Sequence, residues 1–291
     1  SLVNNLIEKL NLNSYDSVLL PAYAPEGLLH PLISNNIKVV YYKLNNKMFP
    51  DLKNIKKIIK NNKKIKLCFI VHYMGFETPI DEISKVLSLN NIMLVEDCAQ
   101  GLFSKYNNGI CFGKKGTFSL FALNKFLPLL DGAFLLSDLD IIKSIEKEKF
   151  FNLKKKATMY YKKHLKENLI ISKNNNSRIV RKSIKKSSRY YNKYYSFIKN
   201  NLALCNISDY STKLLSGLDI KSLIKKRRVN TSIFYNNLDT NLLKPLYPKY
   251  NKNIVPMAIP VLTKRNRSKI INNLIKKIYS HRFSLKNGML Q

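Results

Sequence analysis

The sequence contains no tryptophan, only four cysteines, and too few acids to balance its basic residues. The cysteines are scattered and form neither a CxxC pair nor a cysteine–histidine cluster, which argues against a zinc site and a disulfide framework. No apolar run is long enough to cross a membrane, and no signal peptide is recognisable. We therefore expect a cytoplasmic protein with no membrane span, in a reducing compartment.

The charge balance is extreme: 51 Lys and Arg face 18 Asp and Glu, which gives a net charge of +33. One interpretation is a surface for nucleic acid or another polyanion. The other is compositional drift in an AT-rich genome, which raises Lys, Asn, Ile and Tyr together, as in residues 60–66. We favour drift and do not expect a nucleic-acid partner, although such a field would also attract anionic metabolites.

Helix and strand patterns alternate through the first half of the chain. Apolar, β-branched runs predict strands at 17–20, 38–42, 66–71, 91–96, 117–121 and 133–137. Helical spacing predicts helices at 1–10, 26–34, 51–61, with Asp51 as N-cap, and 81–87. Continuous apolar strands separated by helices indicate an α/β fold with a mostly parallel sheet covered on both faces, in which ligands bind at the carboxyl ends of the strands.

The second half is helical and basic. Residues 151–200 hold fifteen Lys or Arg and one acid, with tyrosines interleaved. Such a stretch can bind single-stranded nucleic acid, but a solvated helix with an aromatic stripe packed on the core is the more common structure. A helix at 218–238, a strand at 254–261 and a helix at 267–279 predict a small α/β domain. We therefore expect a large domain at 1–140, a basic helical connection at 141–205 and a small domain at 206–291.

One lysine differs from the others in its neighbours. Lys125 lies between apolar stretches, after a strand that ends in Glu96 and Asp97. A lysine in apolar surroundings loses its charge more easily and becomes a nucleophilic amine. Paired with an acid at a strand end, it suggests a Schiff base with pyridoxal phosphate. The alternatives are a lysine whose stem covers apolar surface and, for Asp97, a helix N-cap.

An ordered set of segments resembles the DegT/DnrJ/EryC1/StrS family of pyridoxal-phosphate aminotransferases. The resemblance covers roughly residues 1–140 and rests on 18–23, Asp51, 71–76, 95–100, 118–119, and Lys125 with 131–132. Residues 211–215 and 227–230 resemble the C-terminal region more faintly. The chain lacks an initiator Met and opens inside a predicted helix, so we expect that the N-terminal part of the large domain is missing.

The resemblance implies a fold-type-I enzyme and a role for each matching residue. Lys125 would carry the cofactor and move the proton, and Asp97 would pair with the pyridine nitrogen. The other implied cofactor contacts are Gln100 to the phenolic oxygen, Ser119 and Ser1 to the phosphate, and His72 and Tyr23 near the ring, with Pro25 as the alternative to Tyr23. A surface glutamine, a buried strand hydroxyl and a satisfied core histidine are the alternatives for Gln100, Ser119 and His72.

The resemblance also implies a reaction. Such an enzyme moves an amino group, here from glutamate, to a nucleotide-linked keto-sugar for polysaccharide biosynthesis, and works as a homodimer. Ala122 replaces a serine of the family pattern, and Ala133 replaces a glycine. A catalytically degenerate, polyanion-binding relative therefore stays open as an alternative. A pyridoxal-phosphate-dependent sugar dehydratase is another, although that chemistry usually goes with histidine in place of the lysine.

Overall fold

Alternating helices and strands fill the first half of the chain. The computed structural model describes residues 2–139, 151–174, 176–199, 207–264, 266–270 and 273. The strands are β1 (Ser17–Pro21), β2 (Lys38–Tyr42), β3 (Ile65–Val71), β4 (Met93–Asp97), β5 (Phe118–Ala122) and β6 (Ala133–Ser137). The helices among them are α1 (Leu2–Lys9), α2 (Glu26–Ser34), α3 (Leu52–Asn61) and α4 (Asp81–Ser88). All of these elements were predicted, with ends that differ by at most two residues.

The six strands form one sheet in the order β2–β1–β3–β4–β5–β6. Strands β1 to β5 pair in parallel, and β6 runs antiparallel to β5. One face packs on α1 and α2 through Val3, Leu6, Leu28 and Leu32. The opposite face packs on α3 and α4 through Ile55, Ile59, Ile83 and Leu87. The mostly parallel sheet with helices on both faces is therefore confirmed.

A basic helical hairpin follows. It consists of α5 (Phe151–Lys173) and α6 (Ser177–Lys199). Tyr161 and Tyr194 are buried between the two helices, with ring centroids 5.0 Å apart, whereas Tyr191 and Tyr195 are exposed. Part of the tyrosine stripe thus packs between the two helices of the hairpin, whereas the sequence analysis expected it to pack on the core. Within the described ranges, no helix is both long and apolar enough to cross a membrane.

The remaining elements are α7 (Asp209–Ser216), α8 (Ile220–Asn236), β7 (Lys244–Pro245) and β8 (Val261–Leu262). The strand predicted at 254–261 is wrong, because only Val261 lies in a strand. Pro256 and Pro260 lack backbone N–H groups, and Val255 and Met257 instead donate to Ser104 Oγ and the Met74 carbonyl. Residues 267–270 and 273 are helical, and the rest of the helix predicted at 267–279 lies outside the described residues.

The chain divides into two compact units. One comprises Ser1–Glu146, Leu204–Leu238 and Pro245–Val261, and thus contains the sheet together with α7 and α8. The other comprises Lys147–Ala203, Asp239–Lys244 and Leu262–Gln291, and contains the α5–α6 hairpin. The division into domains at 1–140, 141–205 and 206–291 stays a prediction.

Candidate functional site

Polar groups converge where the parallel strands end. Strands β1, β3, β4 and β5 lie side by side in the sheet. Tyr23 follows β1, Tyr73 follows β3, Asp97 is the last residue of β4, and Lys125 follows β5. Two of these groups affect the pKa of a neighbour: the charge of Lys125 acts to lower the pKa of Asp97, and the charge of Asp97 acts to raise the pKa of Tyr73. The carboxyl edge of a parallel sheet is the usual ligand site of such folds, so this edge is the candidate site.

Asp97 closes β4 and is only 4% exposed. Burial raises the pKa of its carboxyl group above the usual value, while the charge of Lys125 and the N–H of Ala99 act in the opposite direction. Oδ1 accepts a 2.9 Å hydrogen bond from the Ala99 N–H. Oδ2 has no hydrogen-bond partner among the described residues. Asp97 therefore offers one unused acceptor atom, and the charge of Lys125 acts on its carboxyl group.

Lys125 ends a short 3₁₀ turn at Leu123–Lys125, directly after β5. The next residues, Phe126 and Leu127, are buried, but Lys125 itself is exposed. This exposure matches the alternative of a lysine whose stem covers apolar surface while its head reaches water. The apolar residues around it face the core and leave its amine at the open edge of the sheet, accessible to a ligand.

Gln100 is fixed by a turn that follows β3. The Met74 N–H donates a 2.8 Å hydrogen bond to Gln100 Oε1, which settles the orientation of the amide. The Nε2 group, which can only donate, has no partner among the described residues. Met74 and Gly75 both have left-handed backbone, with φ of 56° and 86°, and such conformations cluster at functional sites. The sequence reasoning missed this turn, although the glycine in Tyr-Met-Gly-Phe was a signal for it.

Tyr23 lies on the exposed rim of the edge, with 65% of its surface accessible. Its ring is 5.8 Å from the ring of Tyr73, and the Tyr73 hydroxyl donates a 2.6 Å hydrogen bond to the Tyr23 carbonyl. Burial, followed by the nearby Asp97 charge, raises the pKa of Tyr73, so this phenol stays protonated. Tyr73 is a site residue that sequence reasoning missed, because a lone tyrosine after a strand carries no pattern.

His72 and Glu96 lie in a polar cluster inside the core. His72 is fully buried and stacks on Phe112, with ring centroids 4.2 Å apart. Its Nδ1 accepts from the Thr78 N–H, so Nε2 carries the proton that it donates to Glu96 at 3.1 Å. Glu96 also accepts from the Tyr106 hydroxyl. Since both ring nitrogens are engaged, His72 matches the core-histidine alternative, and we do not include it in the proposed site.

Ser119 lies on the same face of the sheet as Glu96, its register partner, whereas Asp97 projects from the other face with its partner Leu120. Ser119 is fully buried, and its hydroxyl donates a 2.8 Å hydrogen bond to the Gly113 carbonyl. This geometry matches the buried-strand alternative and gives no support to a phosphate contact. Ser1, the other expected phosphate residue, lies outside the described residues.

Asp131 connects the loop after Lys125 to α7. Its carboxylate accepts from the N–H and hydroxyl of Ser208, which is the N-cap of α7. The Ser211 hydroxyl in turn accepts from the Leu130 and Asp131 N–H groups. The sequence singled out Asp131 as part of a motif, and the structure shows that its side chain anchors a helix from much later in the chain.

Comparison with known proteins identifies the family of this chain. The model of the DegT/DnrJ/EryC1/StrS aminotransferase family matches residues 4–193. The chain belongs to this family. Aminotransferases of the DegT/DnrJ/EryC1/StrS family depend on pyridoxal phosphate.

Individual relatives in this family are distant. The GDP-4-keto-6-deoxy-D-mannose 3-dehydratase of Escherichia coli O55:H7 is 26% identical over 137 residues, which are 46% of this chain and 35% of that protein. The chain thus aligns with about a third of the length of this curated relative. A putative sugar aminotransferase from Streptococcus pneumoniae, in its PLP form, has a TM-score of 0.63 at 17% identity over 94% of this chain and 68% of that one. A family member from Brucella abortus has a TM-score of 0.60 at 12% identity over 94% and 66%. These structures show that the fold is that of the family.

The edge residues fit the chemistry of pyridoxal phosphate. A pyridinium N–H needs an anionic acceptor, and the unused Oδ2 of the largely buried Asp97 is one. A phenolic oxygen needs a donor, and the Gln100 Nε2 group is one. An aldehyde needs an accessible amine, and exposed Lys125 carries one. Among the described residues we assign no group to the phosphate.

Proposed function

We propose that this protein is a pyridoxal-phosphate-dependent aminotransferase that moves an amino group from glutamate to a nucleotide-linked keto-sugar. The observation that carries the proposal is the buried Asp97 carboxylate, which has an unused oxygen and interacts with the charge of Lys125 at the carboxyl edge of the sheet. Membership of a sugar aminotransferase family supports the substrate class. The product would enter surface polysaccharide or a similar glycan.

Each residue has a defined task in this proposal. Asp97 would hold the pyridine nitrogen in its protonated form, and Gln100 would donate Nε2–H to the phenolic oxygen. Lys125 would bind the cofactor through its amine and hold or move a proton at the substrate carbon. When bound, pyridoxal phosphate supplies an electron sink that makes this proton acidic. Tyr23 and Tyr73 would border the ligand on the side of β1 and β3.

We further propose a cytoplasmic homodimer. The exposure of Lys125 and Tyr23 in a single chain supports a second copy as the part that covers the site, since water should be excluded during proton transfer. A molar mass near twice that of one chain, measured by light scattering, tests this assembly.

The cofactor assignment is tested by spectroscopy and mapping. The protein is incubated with pyridoxal phosphate, its visible absorption is recorded, and the adduct is reduced with borohydride and located by peptide mass. We expect a visible band and a cofactor mass on the peptide that carries Lys125. Lys125→Ala should lose both, and Lys114→Ala, which removes an exposed lysine from the preceding loop, should keep both. A band that survives Lys125→Ala unchanged contradicts the proposal.

A sugar dehydratase is the second candidate, because the curated relative from Escherichia coli has that activity. The presence of Lys125 favours the aminotransferase, since the dehydratase reaction usually goes with histidine at this position. The two are separated with glutamate labelled with ¹⁵N and a panel of keto-sugar nucleotides. Transfer of the label to the sugar supports the aminotransferase, whereas loss of a sugar hydroxyl without label identifies the dehydratase.

A further inference from the structure

The inward face of α8 is apolar in its first turns and basic in the turn that follows. Ile220, Leu223 and Ile224 pack against the buried cluster that contains Phe126 and Leu127. The same helical face continues one turn later with Arg227, Arg228 and Thr231, at spacings of three and four residues. An apolar stripe therefore ends in two adjacent cations that are half-buried rather than directed to solvent.

Arg227 is attached to the residue after Lys125. One of its terminal nitrogens donates a 3.2 Å hydrogen bond to the Phe126 carbonyl, and its guanidinium carbon lies 4.9 Å from the centre of the Phe126 ring. Burial lowers the pKa of Arg227, but a guanidinium keeps its charge at neutral pH. Four of its five N–H donors remain without a partner among the described residues.

Arg228 carries the least satisfied polar atom in the described part of the chain. Its Nε is buried and has no hydrogen-bond partner. The ion pairs among the described residues involve His72, Lys115 and Lys186, so neither Arg227 nor Arg228 has a carboxylate within 4.0 Å. Buried donors in native proteins are normally paired, and an unpaired one needs an explanation.

A ligand anion accounts for these observations together. Half-buried guanidinium groups are stabilised by carboxylate or phosphate, whose oxygens match the planar fork of N–H donors. The described residues supply no such acid here, and one of the two arginines is anchored at the backbone next to the candidate catalytic amine. We propose that Arg227 and Arg228 form a subsite for an oxyanion of the substrate, a carboxylate or a phosphate. The proposal rests on the proposed function only for the identity of that substrate.

The test measures anion affinity separately from chemistry. Glutarate serves as the carboxylate probe and guanosine diphosphate as the phosphate probe, each titrated calorimetrically into the full-length protein loaded with pyridoxal phosphate. The variants are Arg227→Gln and Arg228→Gln. The matched controls are Lys225→Gln and Lys226→Gln, which remove the same charge from the exposed side of the same helix.

We expect each arginine variant to weaken one of the two probes by about ten- to a hundredfold, as for the loss of a charge-assisted hydrogen bond. The controls should stay within about twofold, because exposed charges contribute only through a screened field. The probe whose affinity falls in the arginine variants identifies the oxyanion as a carboxylate or a phosphate. Without any anion, Arg228→Gln should melt at or above the temperature of the parent, because it removes an unpaired buried donor.

Three results overturn the subsite: no measurable binding of either probe, equal losses in arginine variants and lysine controls, or unchanged affinity in both arginine variants. A lower melting temperature for Arg228→Gln with unchanged affinity shows a purely structural arginine and also overturns it. The proposed function fails separately, through the absence of a cofactor band that depends on Lys125. Arginine-dependent anion binding by the protein in that case still supports the subsite.

Discussion

Substitution of Gly75 by alanine tests how the turn after β3 supports the site. Gly75 has a φ of 86°, where an L side chain costs about 1–2 kcal/mol. An added methyl group would lie 2.5 Å from the Gln100 carbonyl oxygen and 3.1 Å from the Val255 carbonyl oxygen, so backbone must move. Such overpacking costs about 1–3 kcal/mol more. The sum of roughly 2–5 kcal/mol corresponds to a melting temperature lower by about 4–20 °C.

Gly109 provides the matched control. Its φ is 85°, but nothing lies within 4 Å of an added methyl group. Gly109→Ala therefore introduces the same backbone strain without the collision, and its melting temperature should fall by only about 2–8 °C. Thermal melts of the cofactor-free proteins give this comparison, and titration with pyridoxal phosphate should show weaker binding for Gly75→Ala alone, because Gln100 is displaced. Equal losses of stability in the two variants would refute the reasoning.

Three further substitutions test individual contacts. Burial raises the folded pKa of Asp97, so its contribution to stability is present below the usual aspartate pKa of about 3.9 and is lost as pH rises. Asp97→Asn should therefore melt higher than the parent near pH 7 without cofactor, with a gap that closes on acidification, yet bind pyridoxal phosphate more weakly. Burial acts to raise the pKa of Glu96, but hydrogen bonds from His72 and Tyr106 outweigh it and lower the pKa, so its contribution is lost as pH falls. Glu96→Gln should thus have a lower melting temperature than the parent near pH 7. Its melting temperature should also fall less than that of the parent on acidification below about pH 5. Asp131→Ala should lower the free energy of unfolding by about 1.5–3 kcal/mol, because it removes the hydrogen bonds to Ser208. Urea unfolding measures this loss, and substitution of the exposed Asp138 by alanine should leave the free energy of unfolding almost unchanged.

The sheet could be predicted from sequence because its signal is local. Continuous apolar strands such as 66–71 and the amphipathic spacing of 52–61 need no knowledge of distant residues. Asp51 was predicted as the N-cap of α3, and its carboxylate accepts from the Asn54 N–H. The antiparallel direction of β6 was not predicted, although the connection at 123–132 is shorter than the crossover that a parallel neighbour usually needs.

The site was predictable only in part. Asp97 and Lys125 could be singled out because a strand end and an apolar context mark them, and their roles stay predictions. The side chains of Ser119 and His72 point to the face opposite Asp97, and this depends on strand register, which motif order does not reveal. The strand predicted at 254–261 failed because apolar composition does not show where Val255 and Met257 find hydrogen bonds. Long-range backbone contacts of this kind are invisible in a local window.

The contact between the Met257 N–H and the Met74 carbonyl, at 2.8 Å, has a consequence for the order of folding. The five parallel strands are complete once residue 122 has been made, so the sheet can form while the chain is still being synthesised. The turn that orients Gln100 gains its outer support only after residue 257 emerges, some seven to thirty seconds later at about 5–20 residues per second. A nascent chain therefore has the sheet that carries Asp97 before residues 255–257 can reach the turn after β3, and a chain that ends before Val255 would keep the sheet without that contact.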